Sequence, residues 1–235
     1  MPAAVAQRSE PFHTDHPELK VLADVGTKLP ERFAAVERLL ATPLSAGVLT
    51  ETIAFLQSPV SPGTEERERA LRNGLLNSLR EHTGYAEVLV PALAAQAADE
   101  AQDPGLRDYA LQHLAAWVPD LDEAGRTQAF TALQDALSEQ TSTYAGTALV
   151  GLNDLSRKGL ISGSFDAAVE ARRLALDAEA SVLSRLTALA LAAELKIDTA
   201  ELTALATHWS QPASGVPEGA RRAALNFLKL STARN

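Results

Sequence analysis

The chain has 235 residues, no Cys and a formal net charge of −9. Its 44 Ala and 36 Leu are roughly a third of all residues, and both types favour helix. That composition excludes a collagen, a disulfide-stapled mini-protein and a disordered acidic tail, and it argues against an all-β fold.

The first 17 residues are polar and punctuated by Pro, so no stable structure is expected through Pro17, with one folded domain over 18–235. Residues 2–7 read like the small-residue end of a secretory leader, with Ala4-x-Ala6 as a cleavage box. Without a charged or apolar stretch before it, the same segment also reads as an Ala-rich start. His13, Asp15 and His16 are metal-ligand types, but no further ligand lies near them in sequence, and no metal or cofactor is expected. Helical patterns then follow in order: Leu19–Val25, Glu31–Ala41, Ser45–Gln57, Thr64–His82, Tyr85–Ala101 and Pro104–Val118. The second half predicts Glu123–Glu139, Thr143–Lys158, Phe165–Asp177, Ser181–Leu195, Thr199–Ser210 and Glu218–Leu230. Starts such as Asp103-Pro104 and Pro217-Glu218 place a cap, a Pro or an acid where a helix N-terminus wants one. Breakers such as Ser61-Pro62-Gly63 and Gln211-Pro212 separate the segments. The result is an all-α protein of twelve helices.

A short pattern recurs along these helices: Arg, Ala three later, a large aliphatic four later. It occurs at Arg32-Ala35-Val36, Arg67-Ala70-Leu71, Arg107-Ala110-Leu111, Arg185-Ala188-Leu189 and Arg221-Ala224-Leu225, with Ala145 in the Arg place before Ala148-Leu149. Successive copies are 35, 40, 38, 40 and 36 residues apart. The three positions share one helical face, so each two-helix unit has an apolar side that only a neighbouring unit can bury. The five arginines are expected to be ties between successive units.

The stretch from Val90-Pro91 to Trp117 resembles a HEAT repeat. Asp103-Pro104-x-Leu106-Arg107-x-x-Ala110-x-x-x-Leu114 follows the family's Asp-Pro-x-Val-Arg-x-x-Ala-x-x-x-Leu pattern. The wording around Arg107–Leu114 and Leu71–Asn77 also resembles bacterial HEAT-like proteins. The resemblance implies a right-handed α-α superhelix, an α-solenoid of about six HEAT-like hairpins, with the second helices on the concave side. It implies no activity.

If the Arg-Ala-Leu face points inward, positions two, five, six and nine after the Arg point to the concave side. In the middle of the chain these give Arg69, Arg72, Asn73, Tyr109, Gln112 and His113. Amides and imidazole both donate and accept, and Arg forks suit carboxylates. The strip is therefore expected to bind a protein or an acidic peptide, without chemistry. The alternative is a small-molecule or enzymatic site at the same strip. Nucleic acid is not expected, since a net-acidic chain repels it. Some HEAT-like proteins excise alkylated bases from DNA, but the strongly basic concave surface that this needs is not in the sequence. No membrane association is expected, because no apolar run reaches spanning length. The absence of Cys fits cytosol or an exported protein alike.

Overall fold

The structure, a computed structural model, describes residues 12–82, 84–139, 141–161 and 165–232. The described residues form twelve α-helices and no strand. The helices are α1 (Pro17–Ala23), α2 (Leu29–Leu39), α3 (Ala46–Gln57), α4 (Glu65–Arg80), α5 (Ala86–Ala98) and α6 (Pro104–Trp117). The rest are α7 (Glu123–Ser138), α8 (Ala145–Arg157), α9 (Ala167–Leu176), α10 (Val182–Glu194), α11 (Ala200–Ser210) and α12 (Glu218–Thr232). All twelve predicted segments are present, with ends displaced by up to one turn. Among the described residues, no helix is long and apolar enough to cross a membrane.

Local chemistry sets the starts. Asp103 Oδ1 accepts from the Gly105 and Leu106 amides at 3.0 and 3.1 Å. Asp122 and Asp166 cap α7 and α9 in the same way, and Ser45, Ser181 and Thr199 cap with hydroxyls. Each cap satisfies amides that lack an intrahelical partner. At the other end, Gly159 takes a left-handed φ of 67° after α8, and the Leu160 amide reaches Leu155 O. Lys196, at φ 61°, makes the same turn after α10, where the Ile197 amide reaches Ala192 O.

The helices pack in two rows. The even helices form a continuous series, each packed on the next from α2 to α12. Odd helices cover one side, α1 on α3, α3 on α5, α5 on α7, and α9 on α11. Between the rows runs one apolar core, in which Leu71, Leu75, Ala110, Leu111, Leu114, Ala148, Leu149, Ala188 and Leu189 are fully enclosed. The N-terminal ends of the even helices lie side by side. Arg69 on α4 meets Asp103 before α6, Arg107 on α6 meets Tyr144 before α8, and Ser184 on α10 bonds Gly146 on α8.

Two expectations need correction. Structure starts before residue 18: Pro17 opens α1, the Phe12 ring sits edge-on to Phe55 at 5.6 Å, and Thr14 Oγ1 donates to the Glu51 carboxylate. The apolar Phe12 ring holds this segment on α3. The leader-like residues 2–7 lie outside the described residues. The repeat register also differs in α4. There Leu71 is buried, but Ala70 and Arg67 are exposed, and the inward position is taken by Glu68. The inward series is thus Arg32, Glu68, Arg107, Ala145, Arg185 and Arg221, not one that includes Arg67.

Candidate functional site

Three arginines of the repeat make the same bond. Arg32 Nε donates to Leu22 O at 2.8 Å, Arg107 Nε to Ala97 O at 2.7 Å and Arg185 Nε to Ala175 O at 3.0 Å. Each acceptor is the penultimate residue of the preceding odd helix. The last carbonyls of a helix lack an intrahelical donor and carry the negative end of its dipole, so a guanidinium there closes the hairpin. The free face of each group then reaches the following unit. Arg32 Nη1 bonds Glu68 Oε1 at 2.6 Å, and Arg107 bonds Glu139 and lies over the Tyr144 ring at 4.6 Å. Arg185 lies over the Trp209 ring at 5.1 Å. Arg67 is outside this set, with one bond to Thr27 O, and Arg221 pairs with Glu218 on its own helix.

In α4 the acid at the inward position is compensated one turn later. Arg72, 2% exposed, donates to Leu56 O at 3.1 Å and Ser58 O at 2.6 Å. Leu56 is again the penultimate residue of its helix. Arg72 also lies over Phe55 at 5.1 Å, and its Nε is 3.5 Å from Glu68 Oε2. Arg32, Glu68 and Arg72 form a buried charge triad, and burial lowers the Arg72 pKa to about 10.

Arg72 therefore does not belong to an exposed strip, and the predicted face is corrected there. His113 is also turned inward, 3% exposed, with Nε2 donating to Asn73 Oδ1 at 2.9 Å and its ring 5.8 Å from Trp117. Its Nδ1 is buried without a partner. Burial, with the Arg80 charge nearby, lowers the His113 pKa to about 4. Arg69 forks onto Asp103, both bonds 2.7 Å, and hydrogen bonding to Asp103 raises its pKa. The fork lies over Gly105, where an added Cβ would fall 2.6 Å from Arg69 Nε. Tyr109 is half-buried and Gln112 is exposed, its amide bonded to Asp108. Of the six expected strip residues, Asn73 and His113 form one contact between α4 and α6, and Arg69 spans the same pair of helices.

The open surface lies one unit further along the even row. A groove of about 430 Å³ crosses α6, α8 and α10. Gln112 and Ala116 come from α6, Thr147, Val150 and Asp154 from α8, and Thr187 from α10. All six occupy positions two, five or nine after the inward residue of their helix, the face projected from the repeat. What the sequence reading missed is the close approach that centres the groove here. A Cβ on Gly146 would stand 2.8 Å from Thr187 Cβ, and one on Gly151 3.0 Å from Ala115 Cβ. Two glycines inside one helix were the available signal, since they cost helix stability and are kept where backbones meet.

Among the described residues, no group of three or more His, Asp or Glu side chains is placed to hold a metal. His13 and His16 are set apart from any such group. Comparison of the chain with protein-family models, with curated proteins and with solved structures gives no match in any of the three.

Proposed function

We propose that this protein is a binding scaffold that holds a protein or peptide segment on the face of its even helices, and that it performs no chemistry. In this reading the two rows are the layers of a HEAT-like right-handed α-solenoid of about six hairpins, with the even row concave. The Arg-to-carbonyl bond recurring in α2, α6 and α10 supports a repeated unit, because a shared ancestral geometry explains an identical ten-residue reach. The observation that carries the binding role is the groove across three successive even helices, lined from equivalent register positions. A row of helices offers an extended surface whose contacts repeat from unit to unit.

A photo-crosslinking residue placed at Val150, which is 38% exposed in the groove, tests this against the same residue at Val169 on α9. Crosslinking to a polypeptide in native extract is expected at 150 and not at 169. Equal labelling at both, or turnover of a small molecule by the pure chain, would overturn the proposal. Solution scattering is expected to show an elongated, curved particle.

A further inference from the structure

Four residues after the inward position stand Val36, Arg72, Leu111, Leu149 and Leu189 in α2 to α10, none more than 2% exposed. Each of these helices has another even helix packed after it. In α12 the same position is Leu225, which is 51% exposed, and among the described residues no even helix follows. Leu228, the next residue on that face, is half-buried. A Cβ on Gly219 would stand 3.3 Å from Leu186 Cδ1, which marks the side of α12 turned to α10. Leu225 and Leu228 lie round the helix from it, on the far side. Trp209 and Phe227 close the core beneath, so Leu225 projects from a finished end.

Beside it runs a groove of about 810 Å³ along α11 and the last turns of α12. Ala200, Thr203, Ala204 and Thr207 line it from α11 and Leu228 from α12. Both Thr hydroxyls are already donated, Thr203 Oγ1 to Asp198 Oδ1 at 3.0 Å and Thr207 Oγ1 to Thr203 O at 2.8 Å. Neither hydroxyl proton needs a partner from outside, and the remaining walls are small and apolar. One end face thus carries a large aliphatic knob on α12 and a shallow small-residue groove on α11. Charge is arranged in the same sense. Lys229 on α12 and Asp198 at the head of α11 are both exposed, with no ion pair between them within one chain.

We propose that this end face is a self-association surface, on which two copies meet about a twofold axis along the helices. Each copy lays α12 over the α11 of the other, seats Leu225 between Thr203 and Thr207, and brings Lys229 to Asp198. A closed twofold contact needs one patch that complements itself, and a knob beside a groove that fits it has that property. Helices pack by setting ridges into grooves, which is how the counterparts of Leu225 are covered within the chain. Head-to-tail stacking is disfavoured, because the other end of the row carries exposed Glu31 and the Arg38–Glu18 ion pair at 2.8 Å. Leu225 there would strip water from charge.

Sedimentation equilibrium of the full chain over about 1–200 µM tests this, a range suited to the small face that two helices offer. A monomer–dimer equilibrium is expected. Leu225→Lys should weaken it about tenfold or more, with an unchanged melting temperature at concentrations where the native chain is monomeric. Asp198→Lys should weaken it too, and adding Lys229→Asp should restore it. The chain has no Cys, so introduced thiols report only on the contact. Leu225→Cys and Thr207→Cys chains, mixed and oxidised, should cross-link to each other in preference to position 225 with itself. A chain monomeric throughout this range, a dimer indifferent to Leu225→Lys, or open polymers that grow with concentration would overturn the proposal. Cross-linking mainly between two copies of position 225, or no rescue by the charge exchange, would overturn the arrangement of α12 on α11. None of these variants touches the α6–α8–α10 groove, so the peptide-binding reading stands or falls separately.

Discussion

The arginine that closes the hairpin at α2, α6 and α10 is a residue-scale device with a measurable contribution. Arg107 satisfies Ala97 O, pairs with Glu139 and lies over Tyr144, whose hydroxyl bonds the same carboxylate. Arg107→Ala removes these together and leaves a helix-end carbonyl without its donor, so a loss of about 1–3 kcal/mol is expected in urea unfolding. Arg67→Ala, at the exposed position that the sequence pattern makes equivalent, should change stability by less than about 0.5 kcal/mol. Equal effects would show that the bond to the preceding helix is not what matters. His113 supplies a pH dependence. Its pKa is near 6.5 when unfolded and about 4 when folded, so the unfolded chain binds more protons between these values. Stability from this group is therefore full above pH 6.5 and is lost as pH falls toward 4. The loss is on the order of 2–3 kcal/mol. The urea midpoint of the native chain should fall faster over this range than that of His113→Gln, where carboxylate titration alone remains.

At the scale of elements, the contact between α8 and α10 is the unit boundary built without a cation. Ala145 stands where Arg stands in α2, α6 and α10, and small groups take over. Ser184 Oγ donates to Ser142 O at 2.9 Å and accepts from the Gly146 amide at 3.2 Å. The helices come so close that a Cβ on Gly146 would meet Thr187 Cβ at 2.8 Å and Ser184 Cα at 3.1 Å. Gly146→Ala gains helix propensity yet forces the two helices apart, so a net loss of about 1–2 kcal/mol is expected by thermal unfolding. A stabilised variant would mean that α8 and α10 separate freely. Element existence was legible in the sequence because Ala and Leu periodicity, caps and Pro-Gly breakers agree along the whole chain. Register was less so: in α4 the run Glu65-Glu66-Arg67-Glu68-Arg69 offers an Arg at the expected spacing. The inward place goes to Glu68 because Arg32 from α2 is there to pair with it.

For the whole molecule, a row in which each helix packs mainly on its neighbours makes stability local. Trp209, 3% exposed on α11, lies under Arg185 and closes the C-terminal end. Trp209→Ala should speed amide exchange in α9 to α12 and leave α2 to α4 unchanged. A uniform rise across the chain would show one cooperative core instead. The same arrangement decides the binding face. Exposed, engaged and buried polar residues alternate along the even row, and the α6–α8–α10 segment leaves a groove open.

By itself, the sequence determined the all-helical class, the twelve elements and the spacing of the repeated face, because these depend on propensity, capping and periodicity within short windows. It also contained the direction of the groove, since Gln112, Thr147 and Thr187 follow from counting along a helix. Only the tertiary structure decided which charges that face offers. Whether Arg72 points outward or reaches back to Leu56 O depends on a helix end sixteen residues earlier and on an acid paired with Arg32. Whether Arg69 is free depends on Asp103 in the next unit. Long side chains are assigned by the partner that satisfies them, and those partners are brought together only when the rows assemble.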